Sequence, residues 1–209
     1  MKEIFTIGYS SYSLGSFIKV LEKYSINAIA DVRSIPYSKF KPDFNREFLK
    51  DYLSKEKIEY AFLGDNCGAR INDPECYING KADYHLIAEH PMFKEGLKRL
   101  RNGIEKYRIA LMCAEIDPIN CHRTILVCRN LRSVDINISH ILSNGRLEDH
   151  TKTEKRLMKL FHLYQPDLFK TESERLEEAY DLQGERIAYK ENGSFEEENI
   201  AGGVERVSY

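Results

Sequence analysis

Residues 113–123 hold two cysteines, a glutamate, a histidine and an arginine: Cys113, Glu115, Cys121, His122 and Arg123. Together these residue types cover the tasks of a reacting centre. A carboxylate or an imidazole moves protons when it lies within hydrogen-bond reach of the reacting atom. A thiol beside a base is a nucleophile, and a planar guanidinium receives a phosphate or a carboxylate. Glu115, His122, Cys121 and, from an earlier segment, Asp31 are the candidate catalytic groups. Arg33 and Arg123 are candidate anion ligands, with Tyr9, Ser10, Ser38, Asn45 and Cys113 as further substrate contacts.

Each assignment has a plainer alternative. Cys121 is either a thiolate activated by His122 or a small packing residue beneath a loop. A phosphatase-type loop needs several residues between its Cys and its Arg, and here only His122 separates Cys121 from Arg123. Asp31 and Glu115 either move protons or hold Arg33 and Arg123 in ion pairs, and networks of the second kind are common. His140, flanked by Ile138, Ile141 and Leu142, reads as a satisfied core histidine. Structural zinc sites pair ligands about two to four positions apart. Cys67, Cys76, Cys113 and Cys121 do not follow that spacing, so no metal is assigned. A Cys113–Cys121 redox pair is conceivable, because a helix start favours the thiolate. No cofactor is specified.

These residues must be carried by a strand, a loop and a helix. Residues 107–113 are a short apolar run and read as a buried strand. Residues 114–120 form a loop, and from Cys121 a helix turns Ile125, Leu126 and Leu131 toward a core. Ligands of open α/β sheets bind outside the carboxyl ends of the strands, and a helix start favours anions. Upstream, strand 3–8, helix 14–24 capped by Ser13, and strand 27–32 make a βαβ unit with parallel strands. The loop from Asp31 to Asn45 exceeds the usual βα connection, and long loops on this side carry function. It interleaves Tyr37, Lys39, Phe40, Lys41 and Phe44, a pattern that suits a nucleic-acid strand or simply anchors the loop.

Asn45 caps a helix over 46–56, a third strand spans 58–63, and Gly64 to Gly68 offers a backbone able to approach a ligand closely. Residues 71–90 look irregular apart from a short helix near 83–88, and Pro91 opens a helix to about 106. Strand 137–142 is followed by an Asn144-Gly145 turn, then by helices from Thr151 and over 173–184. The expectation is a three-layer α/β/α fold with a mainly parallel sheet of about five strands. Residues 1–150 form the α/β domain, 151–189 a helical appendage packed on it, and 190–209 a mobile acidic tail.

The 209 residues suffice for one substantial core. The net charge of −2 hides an asymmetry: residues 172–209 hold 4 Lys and Arg against 11 Asp and Glu. Residues 1–171 are left with 27 against 22, mildly basic and short of a dedicated nucleic-acid binder. No apolar run reaches the roughly 18 to 20 residues of a membrane span. The start reads as a strand rather than a signal peptide, and five cysteines without close pairs argue against a secreted disulfide framework. A cytoplasmic protein is expected, its oligomeric state open.

Several segments together resemble the prokaryotic family called domain of unknown function 488. They are TIGYS at 6–10, DVRSIPYS at 31–38 with Phe44-Asn45, CAEIDPINCHR at 113–123 and SHIL at 139–142. EEAYDLQGERIAY at 177–189 resembles the carboxyl-terminal extension of longer members, while Leu63-Gly64-Asp65-Asn66-Cys67-Gly68 departs from the family's Leu-Gly-Gly loop. The resemblance implies an α/β fold with a parallel sheet and polar motifs converging at one end. It supplies no activity or cofactor, so function must be argued from the site. The expectation is an enzyme acting by acid/base chemistry on a phosphate-bearing substrate, a nucleotide or nucleic acid. The alternative is a non-catalytic binding module for the same ligands.

Overall fold

Strand β6 (Ile109–Cys113) is apolar and buried throughout and strand β1 (Lys2–Gly8) is buried from Ile4 onward, because both lie inside the sheet, covered on both faces. The computed structural model describes residues 2–190. With β2 (Ala28–Asp31), β3 (Glu59–Phe62), β7 (Ile136–Ile141) and β8 (Leu147–Asp149), these strands form one sheet in the order β3-β2-β6-β1-β7-β8. Five strands are parallel, and β8 runs antiparallel on β7. β1 and β2 are parallel as expected, but β6 lies between them, pairing Gly8 with Cys113 on one side and Asp31 with Met112 on the other.

The alternation of β1 and β6 sends side chains to two cores. Phe5, Ile7, Ala110 and Met112 face α1 (Leu14–Lys23) and α2 (Arg46–Lys55), which insert Phe17, Leu21, Leu49 and Leu53. Ile4, Ile109, Leu111 and Cys113 face the opposite layer. That layer holds α3 (Gly64–Cys67), α4 (Tyr84–Glu89), α5 (Pro91–Gly103), the helix after β6, α7 (His150–Leu160) and α8 (Glu172–Ile187). This is the expected three-layer α/β/α architecture. Helix α8 begins with a Thr171–Glu174 capping box and buries Ala179 and Tyr180 in the second core. Of the anticipated tail, only Lys190 lies within the described residues.

Three segments differ from expectation. The helix after β6 is a π-helix over Arg123–Cys128 running into α6 (Arg129–Leu131), and all six π residues are buried. Residues 71–90 contain a hairpin, β4 (Tyr77–Ile78) and β5 (Lys81–Ala82), turned by Asn79 and Gly80 at positive φ. After the turn at Gly145 (φ 69°) the chain returns as β8, which makes the sheet six-stranded.

β1 and β2 are both followed by helices on one face, and β6 between them by a helix on the other. Strand β6 therefore ends at a topological switch point, where the diverging connections leave a crevice. The chemistry-bearing residues collect there.

Candidate functional site

At the end of β6 the chain passes through Cys113 and Glu115 and returns at Cys121 and His122. One ligand atom from each of these four side chains lies within 4.8 Å of the others. Cys113 Sγ is 3.7 Å and Cys121 Sγ 3.9 Å from His122 Nδ1. The Cys121 thiol donates to Glu115 Oε2 at 2.9 Å. Three of the residues are buried; Glu115 is exposed as a residue, although protein crowds its carboxyl group. Close packing makes this arrangement possible: a Cβ on Gly8 would sit 1.9 Å from the Glu115 carbonyl oxygen.

Around the cluster the polar groups are fixed. His122 Nε2 donates to the Val32 carbonyl at 2.9 Å, which leaves Nδ1 as the lone-pair nitrogen facing the sulfurs. The Arg123 amide approaches Cys121 Sγ at 3.4 Å. Burial alone would raise the Cys121 pKa, but the Cys113 thiol, Arg123 and His122 outweigh it and hold it well below the ordinary thiol value. Burial, then the neighbouring Cys121 sulfur, pushes the Cys113 thiol up. The same two causes raise the Glu115 carboxyl. For His122 burial works the other way, yet hydrogen bonding and charge at Cys121 and Glu115 raise its pKa.

The arginines do not stand open as a pair of anion ligands. Arg123 is fully buried, and its guanidinium donates to the carbonyls of Glu115 (2.7 Å) and Ile116 (3.4 Å) and to Thr6 Oγ1 (3.3 Å). It closes the loop 114–120 from beneath. Arg33 forms the bidentate pair with Asp31 that was its alternative reading, at 2.9 and 2.6 Å, and also donates to the Phe44 carbonyl. Asp31 is fully buried and accepts in addition from Tyr60 Oη, so it anchors the loop rather than facing a substrate. Arg33 Nη1 alone among that guanidinium's nitrogens is buried without a partner.

Tyr9 stacks on Phe44 and lies beneath the Arg33 guanidinium, 4.9 Å from ring centroid to Cζ. Burial raises its pKa, countered by Arg33 and reinforced by Cys113, so its hydroxyl is within electrostatic reach of both. Ser10, Ser38 and Asn45 hold loops. The Ser10 amide donates to the Ala114 carbonyl, and Ser38 Oγ accepts from Phe40 and Lys41. Asn45 occupies the cap position of α2, but its Oδ1 takes the Ser38 amide at 2.7 Å and leaves the helix uncapped by a side chain. The glycines after β3 serve a loop crossing, not a ligand: a Cβ on Gly64 would meet the Arg33 carbonyl at 2.0 Å. Cys67 and Cys76 lie elsewhere in the second core.

Sequence reasoning missed several neighbours. Tyr84, buried on α4, carries a pKa raised by burial and by the charges of Cys121, Glu115 and Cys113. It opens the short helix expected near 83–88, but nothing in the sequence pointed that helix at the end of β6. His140 is the satisfied core histidine expected, but its partners Thr6 and His150 were not foreseen. Nearby, a cleft of about 290 Å³ opens between Ser34–Ile35 and the segment 70–77, with Arg70 against the Tyr189 ring.

The chain belongs to the family described as Domain of unknown function DUF488, whose match covers residues 13–129. The DVR, CAE and CHR segments fall inside that span, and TIGYS, SHIL and the 177–189 segment fall outside it. No curated protein and no solved structure gives a match. No helix among the described residues is long and apolar enough to cross a membrane.

Proposed function

We propose that the chain is an enzyme acting on a phosphate-bearing substrate, a nucleotide or nucleic acid, at the end of β6. The observation that carries this reading is Arg33 Nη1, a buried guanidinium donor without a partner. Buried polar groups are nearly always satisfied, and an exception at a sheet's switch point is a place for a ligand's oxygen. Arg33 is already oriented by Asp31 and the Phe44 carbonyl, so the remaining donor costs little to align. Tyr9 beside it orients the same group. Glu115, whose carboxyl pKa is raised by burial and by the neighbouring Cys121 sulfur, moves the proton, with His122 behind it.

The test is a thermal-shift and turnover screen of nucleotides and short oligonucleotides, since a ligand of the native state alone raises the melting point. With the ligand that responds, Glu115→Gln retains the shift and loses turnover. Absence of both shift and turnover across the screen defeats the reading, and equal loss of binding and turnover in Glu115→Gln makes the protein a binding module.

That second reading has its own support. Phe40 is 82% exposed and Tyr37 53%, in the loop that also carries Lys39 and Lys41 and ends at Arg46. Exposed aromatic faces among cations suit the stacked bases of a single strand, worth about 1–3 kcal/mol per base. Phe40→Ala weakening oligonucleotide binding without touching turnover of mononucleotides places the strand on this loop.

A further inference from the structure

We propose that Cys113, Glu115, Cys121 and His122 bind a divalent metal ion of the zinc class. The inference holds whatever the substrate is, but it takes Glu115 and His122, the proton-moving pair of the preceding reading, as ligands, so the metal-bound and the acid/base forms of the site are alternatives.

The donor set comes first. Two thiol sulfurs, an imidazole nitrogen and a carboxylate oxygen are the ligands that zinc takes, and their softness excludes magnesium or calcium. The spacing comes next. Zinc bonds of about 2.0–2.3 Å in a tetrahedron put ligand atoms roughly 3.3–3.8 Å apart. The sulfur–nitrogen separations here are 3.7 and 3.9 Å. The Cys121–Glu115 contact is shorter, and Glu115, the exposed ligand, is the one placed to open it.

The surroundings fit as well. Ligating histidines donate their second nitrogen to a carbonyl or carboxylate, which fixes the tautomer. His122 does so to Val32 and turns Nδ1 onto the sulfurs. The Arg123 amide points at Cys121 Sγ, where it supports a thiolate.

Arg123 supplies an independent argument. Its guanidinium is fully buried and donates only to neutral oxygens, with no ion pair to any described carboxylate. A buried cation needs a counter-charge. Two thiolates, one carboxylate and a divalent cation sum to one negative charge, carried by the same Cys121, Cys113 and Glu115 whose charges already act on Arg123. Binding releases to solvent the Cys113 thiol proton and the proton shared by Cys121 and Glu115 as the two metal–sulfur bonds form. The usual zinc spacing rule overlooks this set because it comes from a strand end and a helix start, Cys113-x-Glu115 and Cys121-His122, joined only by the fold.

The experiment uses the full chain, purified without an affinity tag that binds metal, stripped, and titrated with zinc or cobalt chloride. One equivalent of zinc is retained through gel filtration, and cobalt produces the ligand-field and sulfur charge-transfer bands of a tetrahedral thiolate site. Cys113→Ser and Cys121→Ser lose both signals, Cys67→Ser and Cys76→Ser keep them, and Glu115→Gln retains the ion with weakened affinity and shifted bands. Should the cysteine variants fail to fold, the folded wild type decides: sulfur charge-transfer bands that appear with one equivalent of cobalt and vanish on chelation report thiolate ligation. Folded wild type that takes up no metal, or cobalt bands unchanged in Cys113→Ser and Cys121→Ser, overturns the proposal. Recovery of Cys113 and Cys121 as a disulfide that metal does not prevent overturns it too. Substrate turnover enters none of these readouts, so the site and the reaction fail separately.

Discussion

His122 Nε2 lies 2.9 Å from the carbonyl oxygen of Val32, 90 residues earlier in the chain. This one bond ties the loop after β2 to the helix after β6 and decides which ring nitrogen faces the cysteines. His122→Gln can reach the carbonyl but has nothing at the Nδ1 position, whereas His122→Ala leaves the Val32 oxygen unpaired. An unpaired buried group costs about 1–3 kcal/mol, before any loss of packing. In urea unfolding, His122→Ala therefore falls below His122→Gln by at least that amount. Equal stability of the two variants shows that the bond to Val32 contributes nothing.

Gly8 and Gly15 make a paired test of backbone approach. A Cβ on Gly8 strikes the Glu115 carbonyl oxygen at 1.9 Å, whereas one on Gly15, in the first turn of α1, meets nothing within 4 Å. Gly8→Ala forces two backbones apart and destabilises by about 1–3 kcal/mol or more. Gly15→Ala stabilises by about 0.4–1 kcal/mol through the unfolded chain. Thermal melts of both should move in opposite directions, and movement of Glu115 in Gly8→Ala should disturb the site as well.

Asp31 and Arg33 are a buried bidentate pair, so removing one partner strands a charge. Such losses run to about 3–5 kcal/mol. Arg33→Met alone should show a loss of that order by chemical denaturation. Asp31→Leu together with Arg33→Met should lose less than the sum of the singles, since no charge is left uncompensated. A strictly additive double-mutant cycle contradicts this. Tyr60→Phe, which removes a donor to the same carboxylate, costs about 1 kcal/mol.

Much of the frame was legible because local chemistry and the fold agree. Ser13 caps α1 through its side chain, and β1, β2 and β6 appear as apolar runs bounded by turn residues. The elements that escaped are short or depend on partners. β8 is three residues long and exists as a strand only because β7 pairs with it. The π-helix keeps an ordinary apolar pattern, so nothing in the sequence distinguishes it from an α-helix. At the site, residue types announced the cluster but not its roles. A buried arginine and an exposed one look alike in a sequence, and only the folded contacts of Arg33 and Arg123 show that they brace loops. That strand end and helix start meet was legible, but not that both sulfurs would face His122 Nδ1, which depends on the bond from Nε2 to Val32.

A line of hydrogen bonds runs from Arg123 through the second core and holds two buried histidines. Arg123 donates to Thr6 Oγ1, and Thr6 donates to His140 Nδ1 at 2.8 Å. His140 Nε2 then donates to His150 Nδ1 at 2.9 Å, His150 Nε2 to Tyr180 Oη at 3.2 Å, and Tyr180 to Glu154 at 3.0 Å. Every link is satisfied with both imidazoles neutral and protonated at Nε2, the state that burial favours. Burial lowers the pKa of each below 6.5; His150, Arg123 and Arg156 lower that of His140 further. Arg132 also lowers that of His150, and Glu154 and Asp149 oppose it without overcoming burial. Well above pH 6.5 neither histidine binds a proton in either state, and their contribution to stability is intact. As the pH falls below that value the unfolded chain takes up protons that the folded chain refuses, so stability drops. The slope approaches about 1.4 kcal/mol per pH unit for each histidine. Urea midpoints recorded from pH ~7 down to ~5 should fall for the wild type. The His140→Asn/His150→Asn double variant, weaker at neutral pH through its broken chain, should show a flatter profile over the same interval. Glu115 titrates identically in both proteins, so the difference between the profiles isolates the histidines. Parallel profiles would falsify the assignment of two neutral imidazoles.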